Sequence, residues 1–244
     1  MILQILSQEN IIIASFTLLF VIISLIVGIK ILLKYFSVNA KELILVGLAW
    51  ICLSSPWWSA PFSFLSYIFF GVLWEIHVFF LIGNIFIPVA IICWIYSFAK
   101  MAYVKAKKIL LIVYSLISII FIIFFLIFMV IDVNVIGEFD GSFDARYLSF
   151  TRIFQAFAII SALITGVLFA LKSLKSKDPK VQWKGRFLLI AFISFAIAAI
   201  LDSGFELGIT GVIIIRLLLI SSAIEYYLGF LLPDRIAKWL IRND

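Results

Sequence analysis

Apolar residues in this chain come in long unbroken runs, not in the alternation of a half-buried strand or the one-sided spacing of a surface helix. Seven runs, at 11–33, 43–58, 78–99, 109–131, 150–171, 187–203 and 208–232, approach or exceed the roughly 20 residues that carry an α-helix across a hydrocarbon core of about 30 Å. Backbone polar groups have no partner in lipid, so a spanning segment must be a helix or a strand of a closed barrel, and runs without alternation predict helices. An eighth run at 62–74 is too short to span, and Ser-Pro-Trp-Trp-Ser-Ala-Pro at 55–61 breaks the chain before it. It is expected to form a re-entrant or interfacial helix on the outer side, its tryptophans in the aromatic belt.

The expected fold is therefore all-α, a polytopic seven-transmembrane bundle over 1–232 with a short amphipathic tail over 233–244. Composition agrees: 66% of the 244 residues are hydrophobic, 13% are charged, and the mean hydropathy is +1.27. The first run follows no basic segment and carries no cleavage pattern, so it reads as a retained span. Charge sets the expected orientation, because lysine and arginine near span ends collect on the cytoplasmic side. Of the 19 basic residues, 16 fall in the connections after the first, third and fifth spans and after the seventh, leaving Arg146 and Arg152 opposite and Arg216 within a span. Seven spans give this separation and eight do not, which places the N-terminus outside and the C-terminus in the cytoplasm of a cell membrane. The net charge of +6 thus reflects topology and anionic lipid, not nucleic acid.

Polar residues inside spans are costly and mark candidate function. Arg216 lies about 12 Å inside the outer end of the seventh span, too deep to snorkel easily. Asn84 in the third span and Gln155 in the fifth lie at similar depth, and Asp202 and Glu206 share a face at the outer end of the sixth. Together they are the expected lining of an outward-facing pocket for a small ligand with an anionic or carbonyl group, anchored by Arg216. The bland alternative is a structural Arg216–Asp202 or Arg216–Glu206 bridge. Pro88 is expected to kink the third helix beneath this cluster. Glu225, half a turn from Arg216 and about 13.5 Å along the axis, serves a separate inner site, with an inner-rim pair to a lysine slightly favoured.

Several classes lack support. One histidine, His77, cannot build a multi-histidine zinc or bis-histidine haem site, and no Gly-x-Ser-x-Gly, Gly-rich phosphate loop or HExxH occurs. No enzyme activity, metal or cofactor is expected. Cys52 and Cys93 lie within spans as small hydrophobes. The seventh span has no lysine for a retinal Schiff base. An echo between Ile-Ile-Ser-Leu-Ile-Val-Gly28 and Ile-Ile-Ser-Ala-Leu-Ile-Thr-Gly166 raises the prospect that spans one to three repeat as five to seven.

The segment Ser221-Ser-Ala-Ile-Glu-Tyr-Tyr-Leu-Gly-Phe-Leu-Leu-Pro233, with Ile236 and Trp239, resembles the exit of the N-terminal seven-helix regions of prokaryotic sensor histidine kinases. The specific residues cover about 19 positions, and the hydropathy pattern extends over most of the chain. The resemblance implies a sensor whose last span passes a helix movement onward through Pro233. The sequence ends at Asp244 before any kinase domain, so the expectation is a stand-alone sensor module acting on a cytoplasmic signalling partner or as a homo-oligomer. The alternatives are a small secondary transporter built from two three-helix repeats and an accessory or scaffold subunit.

Overall fold

The computed structural model describes residues 7–139, 143–205 and 208–242. Helices account for nearly all of it. Helix α1 (Gln8–Leu33) starts at Ser7, whose side chain accepts from Asn10 N, and is followed by a single turn α2 (Tyr35–Val38). Then come α3 (Glu42–Leu53), a 3-10 turn (Ser55–Trp57), α4 (Ser59–Phe70), α5 (Ile76–Asn84), α6 (Ile87–Ala102) and α7 (Lys107–Ile131). A hairpin of β1 (Gly137–Phe139) and β2 (Ala145–Tyr147) precedes α8 (Ser149–Leu174), α9 (Pro179–Gly204), α10 (Ile209–Leu231) and α11 (Asp234–Arg242).

Among the described residues six helical segments are long and apolar enough to cross a membrane: Gln8–Val38, Ile76–Ala102, Val104–Ile131, Ser149–Leu174, Pro179–Gly204 and Ile209–Leu231. A further pair, Glu42–Trp57 and Ser59–Phe70, is apolar enough together but bent by 65° at the Pro56 turn, as a broken span or a re-entrant loop. The chain is a polytopic helical membrane protein with six crossings, or seven when the bent pair supplies one. Proline chemistry explains both interruptions of the first half. Pro56 sits in the 3-10 turn that ends α3, and Pro88 occupies the first turn of α6, where it lacks an N–H and its ring would clash with the Asn84 carbonyl of a continuous helix. The third span accordingly breaks over Ile85–Phe86, one turn before Pro88.

Helix α9 begins eight residues ahead of the expected span. Asp178 caps it by accepting from Lys180 N, Pro179 follows at the first position, and the polar turn carrying Lys180, Lys184 and Arg186 continues the apolar helix. The hairpin was not expected at all. Phe139 packs on Phe79 and Phe80, and Phe143 packs edge-on against Phe64 of α4, which fixes the hairpin over one end of the bundle.

The long helices close a ring in the order α1, α3, α6, α8, α9, α10, with α10 returning to α1. Helix α7 stays outside it and buries only Ser118, Phe121 and Phe125, with Phe121 stacked on Phe150 and Phe154 of α8. In chain order α7 separates the ring helices into a first half, α1, α3 and α6, and a second, α8, α9 and α10. In each half the first span meets the second at a glycine: a Cβ on Gly28 would strike Ile51 and the Gly47 carbonyl, and one on Gly166 would strike the Phe192 ring. The correspondence extends further. Thr17 and Gln155, Gly28 and Gly166, and Gly47 and Gly185 are all 138 positions apart. In the third span of each half Asn84 and Arg216, Trp94 and Tyr226, and Phe98 and Phe230 are all 132 apart. These spacings carry the echo in the sequence along both sets of helices.

Candidate functional site

At the hairpin end the ring opens into a cavity of about 540 Å³. Phe195 lines it, and beyond Phe195 an aromatic cluster packs the bundle. Trp50 stacks on Tyr226 at 4.3 Å and lies 5.5 Å from Phe195, while Trp94 lies 4.9 Å from Phe192. These rings fill the centre of the bundle and leave a void of only about 20 Å³. The Trp94 indole N–H donates to Thr165 Oγ1 at 2.7 Å, which fixes the plug to α8.

The cavity wall is held by two polar latches, one at each seam between the halves. At the α10–α1 seam Arg216 Nε donates to Thr17 Oγ1 at 2.9 Å, and Arg216 Nη1 pairs with Asp202 Oδ1 at 2.6 Å. The second Asp202 oxygen accepts from Trp57 Nε1 at 2.7 Å. Both oxygens of this carboxylate are thus engaged, and Arg216 is 6% exposed. At the α8–α5 seam Gln155 Nε2 donates to Asn84 Oδ1 at 3.0 Å, and Asn84 Nδ2 donates to the Phe80 carbonyl. Thr17 and Gln155 lie 138 positions apart, and Asn84 and Arg216 lie 132 apart. One latch is a guanidinium–carboxylate pair and the other a neutral amide–amide bond.

The sequence-predicted residues divide accordingly. Gln155, Asp202 and Arg216 line the cavity together. Asn84 is fully buried behind Gln155 and positions it. Glu206 lies outside the described residues. Trp57 is buried and bonded to Asp202 instead of standing in a belt. Glu225 is remote from the cavity, and its partners correct the lysine pairing expected for it: Ser221 Oγ and Ser194 Oγ donate to its two oxygens at 2.8 and 2.9 Å. Serines on α9 and α10 reach the carboxylate, whereas the α9 lysines Lys180 and Lys184 bond to Asp234 and to the Phe230 carbonyl.

One residue that sequence reasoning passed over changes the chemistry of the site. Arg152, in the first turn of α8, lines the cavity and donates from Nη2 to the Tyr147 carbonyl at 3.0 Å. Among the described residues its guanidinium meets no carboxylate. Arg152, Gln155 and Ile159 form one stripe of α8, so cation, amide and aliphatic side chain descend in order into the cavity. The available signal was topological: Arg152 is one of two basic residues on the otherwise acidic end. The Tyr147 hydroxyl also lies in this wall, buried beside Asn84 and Gly83 without a hydrogen bond of acceptable geometry, and burial pushes its phenol above the usual range.

No family model and no curated protein matches the sequence.

Proposed function

We propose that the cavity binds a small molecule carrying an anionic group, and that the protein is a receptor-like sensor whose ligand enters from outside. The observation that carries this reading is the division of labour between the two arginines. Arg216 is consumed by Asp202 and Thr17, whereas Arg152 lines the cavity with one donor on the Tyr147 carbonyl and no ion pair among the described residues. The apolar body of the ligand rests against Ile159, Phe195 and Val212. Output runs through α10, which carries Arg216 at the cavity and Tyr226 in the plug and ends at Pro233 and the amphipathic α11. A thermal-melting screen of small carboxylates and organophosphates on the purified protein tests the site. A stabilising anion should lose its effect in Arg152→Gln. Equal stabilisation of the variant places the anion elsewhere.

The repeated halves favour a second reading, a small secondary transporter in which the halves rock about a central site. A cysteine at Ser97, on the far side of the plug, separates the two. A carrier exposes it to an impermeant thiol reagent from the lysine-rich end once both latches are cut by Thr17→Val and Gln155→Leu. A receptor keeps it shielded.

A further inference from the structure

The lysine-rich end of the bundle treats its two seams differently. At the α6–α8 seam Lys172 is used internally: its ammonium donates to the Ala102 carbonyl at 2.8 Å and lies 6.0 Å from the Tyr103 ring. Its counterpart 138 positions earlier is Lys34, at the end of α1 beside the α1–α10 seam. The Lys34 ammonium makes no hydrogen bond or ion pair among the described residues.

Around it the other charges converge. Lys184 donates to the Phe230 carbonyl at 3.0 Å in the last turn of α10, and Lys180, Asp178, Lys34 and Asp234 are all within Coulomb range of it. Lys180 pairs with Asp234, and Lys180, then Lys238 and Lys34, hold that exposed carboxyl below the usual range. Lys30 lies 5.7 Å from the Tyr227 ring of α10. Four lysines thus face two aspartates, with a fifth lysine just above.

The flanks of this cluster are apolar. Ile26 and Leu33 share one face of α1 with Lys30 and are 47% and 51% exposed, and Ile224, one turn before Tyr227, is 47% exposed. These residues form an apolar flank that ends at the lysines. Trp239, 66% exposed on α11, belongs at the interfacial depth of a headgroup. From this combination we infer that the α1–α10 seam carries a specific site for an anionic phospholipid, its headgroup held by Lys34, Lys184 and Lys238 and its chains lying on Ile26, Leu33 and Ile224.

The test uses the full chain in nanodiscs of phosphatidylcholine doped with phosphatidylglycerol, with bound lipid counted by native mass spectrometry. Phosphatidylglycerol should be retained over phosphatidylcholine. Lys34→Gln and Lys238→Gln, both exposed and free of structural bonds, should each weaken that retention about fivefold, the worth of one lysine near an anionic surface. Asp234→Asn should strengthen it. Lys105→Gln/Lys108→Gln, which removes two charges elsewhere on the same end, should change it by less than twofold. The inference is overturned if that control weakens retention as much as the site variants, since the attraction is then diffuse. It is equally overturned if inorganic phosphate at millimolar concentration displaces the lipid completely, which would mark a free-anion site.

Discussion

At the residue scale the Arg216–Asp202 pair is both the clearest sequence-level candidate and the one with least freedom to bind anything else. Removing one member of a buried pair leaves the other charge without compensation, at a cost of about 3–5 kcal/mol. Asp202→Ala and Arg216→Ala should each lower the melting temperature of the purified protein markedly, and the double replacement Arg216→Met/Asp202→Leu should recover most of the loss. Tyr147 gives a prediction of opposite character. Its buried phenol has no good hydrogen bond to lose, so Tyr147→Phe should be neutral or slightly stabilising near pH 7. Because burial raises its folded-state pKa, the phenol contributes stability that is complete below the unfolded value of about 10 and is lost as pH rises through the folded value. The melting temperature of the wild type should therefore fall faster than that of Tyr147→Phe above pH 10.

At the scale of elements the glycines decide how closely helices approach. A Cβ at Gly47 would stand 2.5 Å from the backbone oxygen of Gly28, which cannot rotate away, whereas one at Gly229 meets the branched end of the Leu188 side chain. Gly47→Ala should thus destabilise more than Gly229→Ala, with overpacking of about 1–3 kcal/mol setting the scale for the milder change. Helix existence was legible in the chain because apolar length alone encodes it, and the break near Pro88 followed from one proline. The early start of α9 was not, since Lys180 to Arg186 look like loop until the Asp178-Pro179 cap is weighed. The hairpin was harder still. Its strands have three residues each, too short for an alternating pattern to register. Of the site, the intramembrane polar residues announced themselves by their cost. Arg152 and Trp57 did not, because one looks like a rim charge and the other like a belt aromatic until the hairpin and the Pro56 bend bring them to the cavity.

For the whole molecule, a seven-crossing arrangement with the lysine-rich end cytoplasmic makes a direct labelling prediction. Glu138→Cys should react with an impermeant maleimide in intact cells and Lys175→Cys only after permeabilisation, with Cys52 and Cys93 shielded within helices. The same arrangement gives α7 an unexpected role. A unit of three crossings leaves the growing chain on the far side of the bilayer, so a second copy joined directly to it would insert upside down. One additional crossing restores the direction, and the two halves can then share a single axis. On the reading with seven crossings and two like halves, helix α7 would be a spacer whose odd number matters more than what it touches. Its lipid-facing residues, such as Ile112, Leu116 and Ile123, should tolerate wholesale exchange for other apolar side chains, while deleting the helix should abolish assembly.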